Sequence, residues 1–310
     1  MLPNTGDPRL EFSGQIAASD MQVQLGLPFA VRSASAAIEH LVLEGGAVSA
    51  VCRITDLYGK IADRELARAN LLITYVEPRL SIESLEGEFE GGMIRPLGRG
   101  AERGGTAFSI DLEEPFPFQL ALDLLGVELS GLFRGLFASN FATRGKVDCQ
   151  LRLTGDTRRV LGIQGSGSVQ VTDSLLWSVP VFRALFSQLG IENTAVFDRL
   201  AANVRIRNGV IWTDDITIQS RILELVGKGS IDFDGGVKED LQVRYPLIDR
   251  LGLLTRIVYA IQKELLSVAV RGDLARPQVI FRNPWTHVAS QNDRYRSLPL
   301  PGLSTLPPRF

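Results

Sequence analysis

Apolar and polar residues alternate over much of this chain, most clearly between Val147 and Leu153. In that run every odd position is apolar and every even position is polar. Because successive side chains of a β-strand point to opposite faces, this period of two predicts a strand with one dry and one wet face. Such strands are typical of antiparallel sheets that are solvated on one side. The same pattern predicts strands at Met21–Leu25, Val169–Val171, Val204–Arg207, Ile216–Gln219 and Leu241–Tyr245.

Short glycine-containing segments stand between the predicted strands. They are Glu44-Gly45-Gly46, Glu90-Gly91-Gly92, Asn208-Gly209 and Asp234-Gly235-Gly236. Glycine and asparagine accept the positive φ angles that tight hairpins need. Strands joined at such short intervals predict a long antiparallel meander.

Three stretches break the alternation and carry apolar residues at helical spacing. They are Leu120–Ala138, Pro180–Gly190 and Pro246–Leu266. Proline opens the second and third, where its missing N–H is not needed, and glycine ends the second. We therefore predict a mainly β fold with a few amphipathic helices.

Composition excludes several classes of function. The chain has 33 Lys and Arg against 35 Asp and Glu, so a net charge of −2 gives no broad cationic surface for nucleic acid. With two cysteines and two histidines, zinc ribbons, disulfide scaffolds and iron–sulfur ferredoxins are excluded by count. Hydrophobic residues make up 45% of the chain, and this surplus must be buried against something.

The chain is predicted to have two β segments and a tail. The Gly- and Arg-rich stretch 96–105 favours a division into residues 1–100 and 101–283. From Pro284 onward, prolines stand among Ser, Asn and Arg without periodicity, so residues 284–310 are predicted to form a flexible tail.

Four short motifs resemble chemical sites, but their context argues against each. Gly162–Gly167 leads into a strand, so it offers no helix N-terminus to a phosphate. Gly227–Ser230 lacks the first glycine of a P-loop, and Asp232–Gly235 lacks the later ligands of a calcium loop. Asp214-Asp215 could form a carboxylate pair for acid–base chemistry, but adjacent strand residues point to opposite faces and cannot share a proton. The pair is therefore interpreted as part of a turn.

The remaining reactive residue types do not form a predicted site. His40 and His287 are far apart in the chain, and Cys52 and Cys149 lie in apolar strand patterns where packing is expected. Arg158-Arg159 is interpreted as a charged turn, with a lipid headgroup contact as the alternative. We predict no catalytic residue, no metal site and no cofactor.

The apolar face of so long a meander must be covered by a second layer or by a ligand. A sandwich or a barrel would close it, whereas a curved sheet would leave an open groove for a hydrophobic guest. The high apolar content favours the open groove, and a closed core is the competing interpretation for each lining residue. The predicted lining residues are Val147, Cys149, Leu151, Leu153, Val204, Ile206, Ile216, Ile218, Val243 and Tyr245.

The order of elements from Leu112 to Phe281 resembles the C-terminal region of the AsmA-like family of envelope proteins. The resemblance covers about half of the chain and depends on the order of its pieces, not on one motif. It implies an elongated β groove with an apolar interior, a role in outer-membrane biogenesis or phospholipid transport, and no catalytic residues. The pieces are the Leu120–Ala138 stretch, Gly145–Gly155, Gly165–Leu176, the Pro180 helix, Ile206–Val210, Gly227–Asp232 and Val268–Pro277.

We therefore expect a non-enzymatic envelope protein that holds or conducts the acyl chains of phospholipid or another lipid. The alternative is a structural scaffold whose amphipathic helices contact partner envelope proteins. The N-terminus lacks the features of a signal peptide, and no window is apolar enough for a spanning helix. We accordingly expect a periplasmic or envelope location, with a membrane tether supplied by a segment before Met1.

Overall fold

The computed structural model describes residues 9–25, 27–98, 106–134, 144–174, 180–188, 197–220, 224–244, 267–274 and 276–282. The helices within these ranges are α1 (Leu129–Phe133) and α2 (Pro180–Gln188), together with a single 3₁₀ turn at Val160–Gly162. The strands are β1 (Leu10–Leu25), β2 (Leu27–Glu44), β3 (Ala47–Ile61), β4 (Arg64–Val76), β5 (Arg79–Phe89), β6 (Gly92–Pro96), β7 (Phe108–Asp111), β8 (Pro117–Glu128), β9 (Lys146–Asp156), β10 (Gln164–Ser174), β11 (Phe197–Arg207), β12 (Val210–Ser220), β13 (Glu224–Asp232), β14 (Gly236–Arg244), β15 (Ser267–Asp273) and β16 (Arg276–Arg282).

All sixteen strands belong to one antiparallel sheet, and neighbours in the chain are neighbours in the sheet. The exception is that β6 and β7 share one position, because both pair with β5 on one side and with β8 on the other. The predicted antiparallel meander is therefore confirmed. Strands on both sides of the predicted boundary near residue 100 belong to this sheet, and the division into two segments stays a prediction.

The predicted turns join the strands as expected. Asn208 and Gly209 have φ angles of 53° and 71°, which is the hairpin geometry that favours this pair. Gly45, Gly91 and Gly235 also have positive φ in their turns. Because successive strands that pair with each other are antiparallel, the turns between them collect at two opposite ends of the sheet.

We name these two ends by a residue in a turn at each. The Asn208 end carries the turns at residues 45–46, 77–78, 112–116, 157–163, 208–209 and 233–235, together with Leu274 after β15. The Glu90 end carries the turns at 62–63 and 90–91, together with α1 and α2.

One predicted helix is mostly wrong. Within Leu120–Ala138, residues up to Glu128 belong to β8, and the described helical part is only α1. The helix predicted from Pro180 is confirmed as α2. The predicted helix Pro246–Leu266 and the predicted tail from Pro284 lie outside the described residues.

Several long strands carry β-bulges close to the Glu90 end. Asp56, Arg68 and Gly126 have φ angles of 50°, 49° and 62°, and each lies where the pairing register shifts. A bulge places two residues opposite one, which bends the strand and increases its twist. The strands β3, β4 and β8 are therefore bent near the same end of the sheet.

Candidate functional site

One face of the sheet is apolar from the second strand to the fourteenth. Residues that pair directly in an antiparallel sheet have side chains on the same face, so the register traces this face from strand to strand. A single line of paired residues crosses twelve strands and contains no polar side chain except the thiol of Cys52. We call it the apolar row: Ile38, Cys52, Ile73, Ile82, Phe108, Leu120, Leu153, Gly165, Ile206, Ile211, Ile231 and Val237.

The apolar row is only partly shielded from solvent. Eleven of its twelve members are half-buried, and only Val237 is fully buried. At about 4.8 Å between neighbouring strands, eleven intervals give the row a length of about 50 Å. A long, half-exposed apolar strip of this kind is unusual for a surface that faces only water.

The same face is fully buried nearer the Glu90 end. A second line of paired residues there consists of Val147, Val171, Leu200, Ile218, Leu225 and Val243. All six are at most 9% exposed, and Leu129 of α1 and Leu185 of α2 belong to the same core cluster. The apolar face is thus covered at the Glu90 end and becomes more exposed toward the Asn208 end.

A buried polar cluster fixes α1 over the Glu90 end. The carboxylate of Glu90 accepts hydrogen bonds from Arg134 Nη1 at 3.2 Å, Arg134 Nη2 at 3.1 Å and the backbone N–H of Glu65 at 2.7 Å. Arg64 Nη2 donates to the carbonyl oxygen of Leu132 at 3.0 Å. Leu132 packs against both hydrophobic clusters of the sheet, so α1 joins the two halves of the core.

A carboxyl group also lies within the apolar face. Glu239 pairs with Gly229 on one side and with Val270 on the other, which places its side chain on the same face as Val237 and Leu241. Glu239 is 7% exposed, and its Oε2 atom has no hydrogen-bond partner among the described residues. Burial raises the pKa of the Glu239 carboxyl to about 7, although the nearby Arg271 guanidinium opposes this change.

The opposite face is polar, and the surface depressions lie mainly there. One of about 570 Å³ is lined by residues that include Gln150, Arg199 and Asn203, and one of about 540 Å³ includes Lys228 and Lys238. These depressions are open to solvent and lie on the side away from the apolar row, so we do not place the candidate site in them.

Asp214 and Asp215 are on strand β12 and not in the predicted turn. The register shifts between Thr213 and Ile216, so the two aspartates form a bulge. Asp214 pairs with Arg205, while Asp215 accepts hydrogen bonds from Asn203, and these bonds hold the pKa of Asp215 below its usual range. The two carboxylates therefore have separate partners and do not form an acid–base pair.

The predicted lining residues lie together on the apolar face wherever they are described. Leu153 and Ile206 are in the apolar row, Val147, Ile218 and Val243 are in the buried line, and Tyr245 lies outside the described residues. The other four are half-buried between the two lines: Cys149, Leu151, Val204 and Ile216. Sequence reasoning missed the part of the row in β2–β8, where bulges interrupt the alternation, and it missed Glu239.

Burial of the two cysteines also follows from their place on this face. Desolvation raises the pKa of the Cys149 thiol and of the Cys52 thiol. Both are free. In the described part of the chain, no three His, Cys, Asp or Glu side chains are grouped as metal ligands would be.

Neither α1 nor α2 has the length and apolar character needed to cross a bilayer. Comparison with protein-family models, with curated proteins and with solved structures finds no match to this chain.

Proposed function

We propose that this protein holds or conducts the acyl chains of lipids along the apolar row, without catalysing a reaction. The observation that carries this proposal is the row itself: an unbroken apolar line, half-buried over eleven positions, beside a polar face. An ordinary core would be buried along its whole length, whereas the described part of this face is fully buried toward the Glu90 end and mostly half-buried along the apolar row. In this proposal the exposed part of the face is an open groove, and bound acyl chains cover its apolar side chains.

Hydrophobic burial alone is large enough to bind a long acyl chain of any type. Each buried CH₂ group contributes about 0.8 kcal/mol, so a chain of a dozen carbons gains enough to bind without a specific polar contact. The row is about 50 Å long, and one leaflet of hydrocarbon is about 15 Å thick, so about three acyl chains fit end to end. Val, Ile and Leu side chains supply such a surface without directional constraints.

The resemblance to the AsmA-like family supports the same proposal from the sequence. The antiparallel meander is the architecture that the resemblance implies, and an acyl-chain groove is the use that it implies for it. We therefore propose a role in outer-membrane biogenesis or phospholipid transport in the cell envelope. Envelope proteins that contact the amphipathic helices are proposed as further partners.

A lipid uptake experiment tests this function with a matched pair of variants. Leu153 is in the apolar row, and the next residue, Thr154, is exposed on the opposite face. We expect the full chain to take up a fluorescent fatty acid from solution, L153D to lose most of this uptake, and T154D to keep it. A charged carboxylate on the row would have to be desolvated by the guest, whereas on the polar face it stays in water.

The same experiment separates the scaffold alternative. If the purified chain yields no lipid on solvent extraction and takes up no fluorescent fatty acid, the groove has no guest and the scaffold function is favoured. Equal uptake by L153D and T154D would also contradict the proposal, because binding would then not depend on the row.

A further inference from the structure

Exposed apolar side chains collect at the Asn208 end of the sheet. Leu161, Val76 and Val160 are 65%, 64% and 58% exposed, and all lie in or beside turns at this end. The other large apolar side chains exposed at or beside its turns are those of Leu10, Leu43, Leu112 and Phe233. At the Glu90 end, the exposed large apolar side chains of the described residues are Met21 and Met93.

Two of these side chains, those of Leu161 and Phe233, lie over the same turn, and we call this pair the apolar tip. Leu161 Cδ2 and Phe233 Cδ2 lie 2.6 Å and 3.9 Å from the position that a Cβ atom would have on Gly209. The backbone N–H of Phe233 donates to the carbonyl oxygen of Gly209 at 2.8 Å, which holds the two neighbouring hairpins together. The absence of a side chain at Gly209 thus leaves the space over this turn to Leu161 and Phe233.

Charged groups of both signs lie in or beside the turns of the Asn208 end. Arg159, Arg207 and Arg276 are exposed at three of the turns, and none has an acidic partner within the described ranges. Asp234 is exposed in the same turn as Phe233. A zwitterionic phospholipid complements this arrangement. Its phosphate can pair with arginine, its amine can pair with aspartate, and its acyl chains can bury the apolar side chains.

We propose that the Asn208 end docks on a phospholipid bilayer, with Val160, Leu161 and Phe233 inserted at the headgroup boundary. The exposed apolar side chains are distributed over several turns of the Asn208 end, so an extended bilayer surface fits them better than a compact protein partner does. The apolar face is also more exposed toward this end than toward the Glu90 end. In this arrangement a lipid passes between the bilayer and the apolar row with little exposure to water. This last point depends on the proposed function, whereas docking itself does not.

Vesicle flotation tests the docking with variants at the two ends. We expect the full chain to float with phosphatidylcholine vesicles and L161S/F233S to bind at least about tenfold more weakly, since two apolar anchors are lost. The matched control M21S/M93S changes two exposed apolar side chains at the Glu90 end and should bind as the unchanged chain does. As a second variant, V160W should bind more tightly, because tryptophan favours the membrane interface.

Three results would overturn the docking proposal. They are no flotation of the unchanged chain, equal loss in the L161S/F233S and M21S/M93S variants, and flotation only with vesicles that carry membrane proteins. The last result would assign the Asn208 end to a protein partner.

Uptake of a fluorescent fatty acid without vesicles separates this proposal from the proposed function. We expect L161S/F233S to keep this uptake while losing flotation, and L153D to show the reverse. A chain that floats but takes up no fatty acid would refute the lipid-holding function and leave the docking surface in place.

Discussion

Replacing Glu239 with glutamine removes one ionisable group from the apolar face and leaves its shape nearly unchanged. The carboxyl lies against Gly229, where its Oε2 atom occupies the space of a side chain that glycine lacks. The guanidinium of Arg271 is nearby, but its Nη2 atom donates to Asp240 Oδ1 at 2.7 Å and its Nη1 atom to the Glu239 carbonyl oxygen at 2.6 Å. The Oε2 atom of the Glu239 carboxylate is therefore buried without a hydrogen bond from any described residue.

The size of the effect follows from the pKa. Burial raises the pKa of Glu239 from 4.5 to about 7, so the folded chain holds this proton more tightly than the unfolded chain does. The folded state is then favoured most below pH 4.5, and this advantage is lost as the pH rises to about 7. At about 1.4 kcal/mol for each pKa unit, the loss is about 3 kcal/mol.

Denaturant unfolding at pH 5 and pH 8 measures this difference. We expect E239Q to be more stable than the unchanged chain by about 1 kcal/mol at pH 5 and by about 3 kcal/mol at pH 8, with an unchanged denaturant slope. The control is E113Q, which alters an exposed carboxylate in the β7–β8 turn and should shift neither value. A stability difference between E239Q and the unchanged chain that does not depend on pH would refute the assignment of a buried, unpaired carboxyl.

Two further predictions concern the closed end and the lining. Substituting Glu90 with alanine should destabilise the chain by about 2 kcal/mol, because it leaves Arg134 and the Glu65 N–H without their acceptor; hydrogen exchange should show faster opening of α1. Cys52 and Cys149, the only cysteines, both lie on the apolar face, so bound fatty acid should slow their reaction with a maleimide. Because burial raises the pKa of both thiols, the reaction without lipid should quicken with pH only above the usual thiol range, and equal rates with and without lipid would argue against a guest on this face.

The sequence predicted strands well wherever alternation ran undisturbed. Val147–Leu153 lies within β9, and its odd residues all lie on the apolar face, because a strand without a bulge keeps its phase from end to end. The hairpin at Asn208-Gly209 was equally predictable, since few other residue pairs adopt positive φ twice in succession.

Bulges explain the two main errors. In β8 the alternation of Leu120, Leu122 and Leu124 is broken at Gly126, so the next inward residue is Val127. This step of three residues imitates the spacing of a helix, and the strand was predicted as one. The Asp214-Asp215 bulge in β12 was mistaken for a turn, because only the neighbouring strand supplies the partners that hold it.

In contrast, the alternation of apolar and polar residues in β14 could have predicted on which face Glu239 lies. It lies two residues from both Val237 and Leu241, so the phase of β14 already places it on the apolar face. Its burial could not be predicted, because burial depends on Gly229 and Val270, which the register brings beside it from other strands.

The apolar face is more deeply buried at the Glu90 end of the sheet than at the Asn208 end, and this difference determines where a lipid can enter. At the Glu90 end, α1 is held by Glu90 and Arg64, and the apolar face beneath α1 and α2 is fully buried. A guest that entered there would have to displace packed side chains and break charged hydrogen bonds. At the Asn208 end, the row is half-exposed, so a guest would cover apolar surface that is already open and would stabilise the folded chain by mass action. If the row holds acyl chains, the physical barrier to entry is therefore lowest at the end where the turns themselves expose apolar side chains.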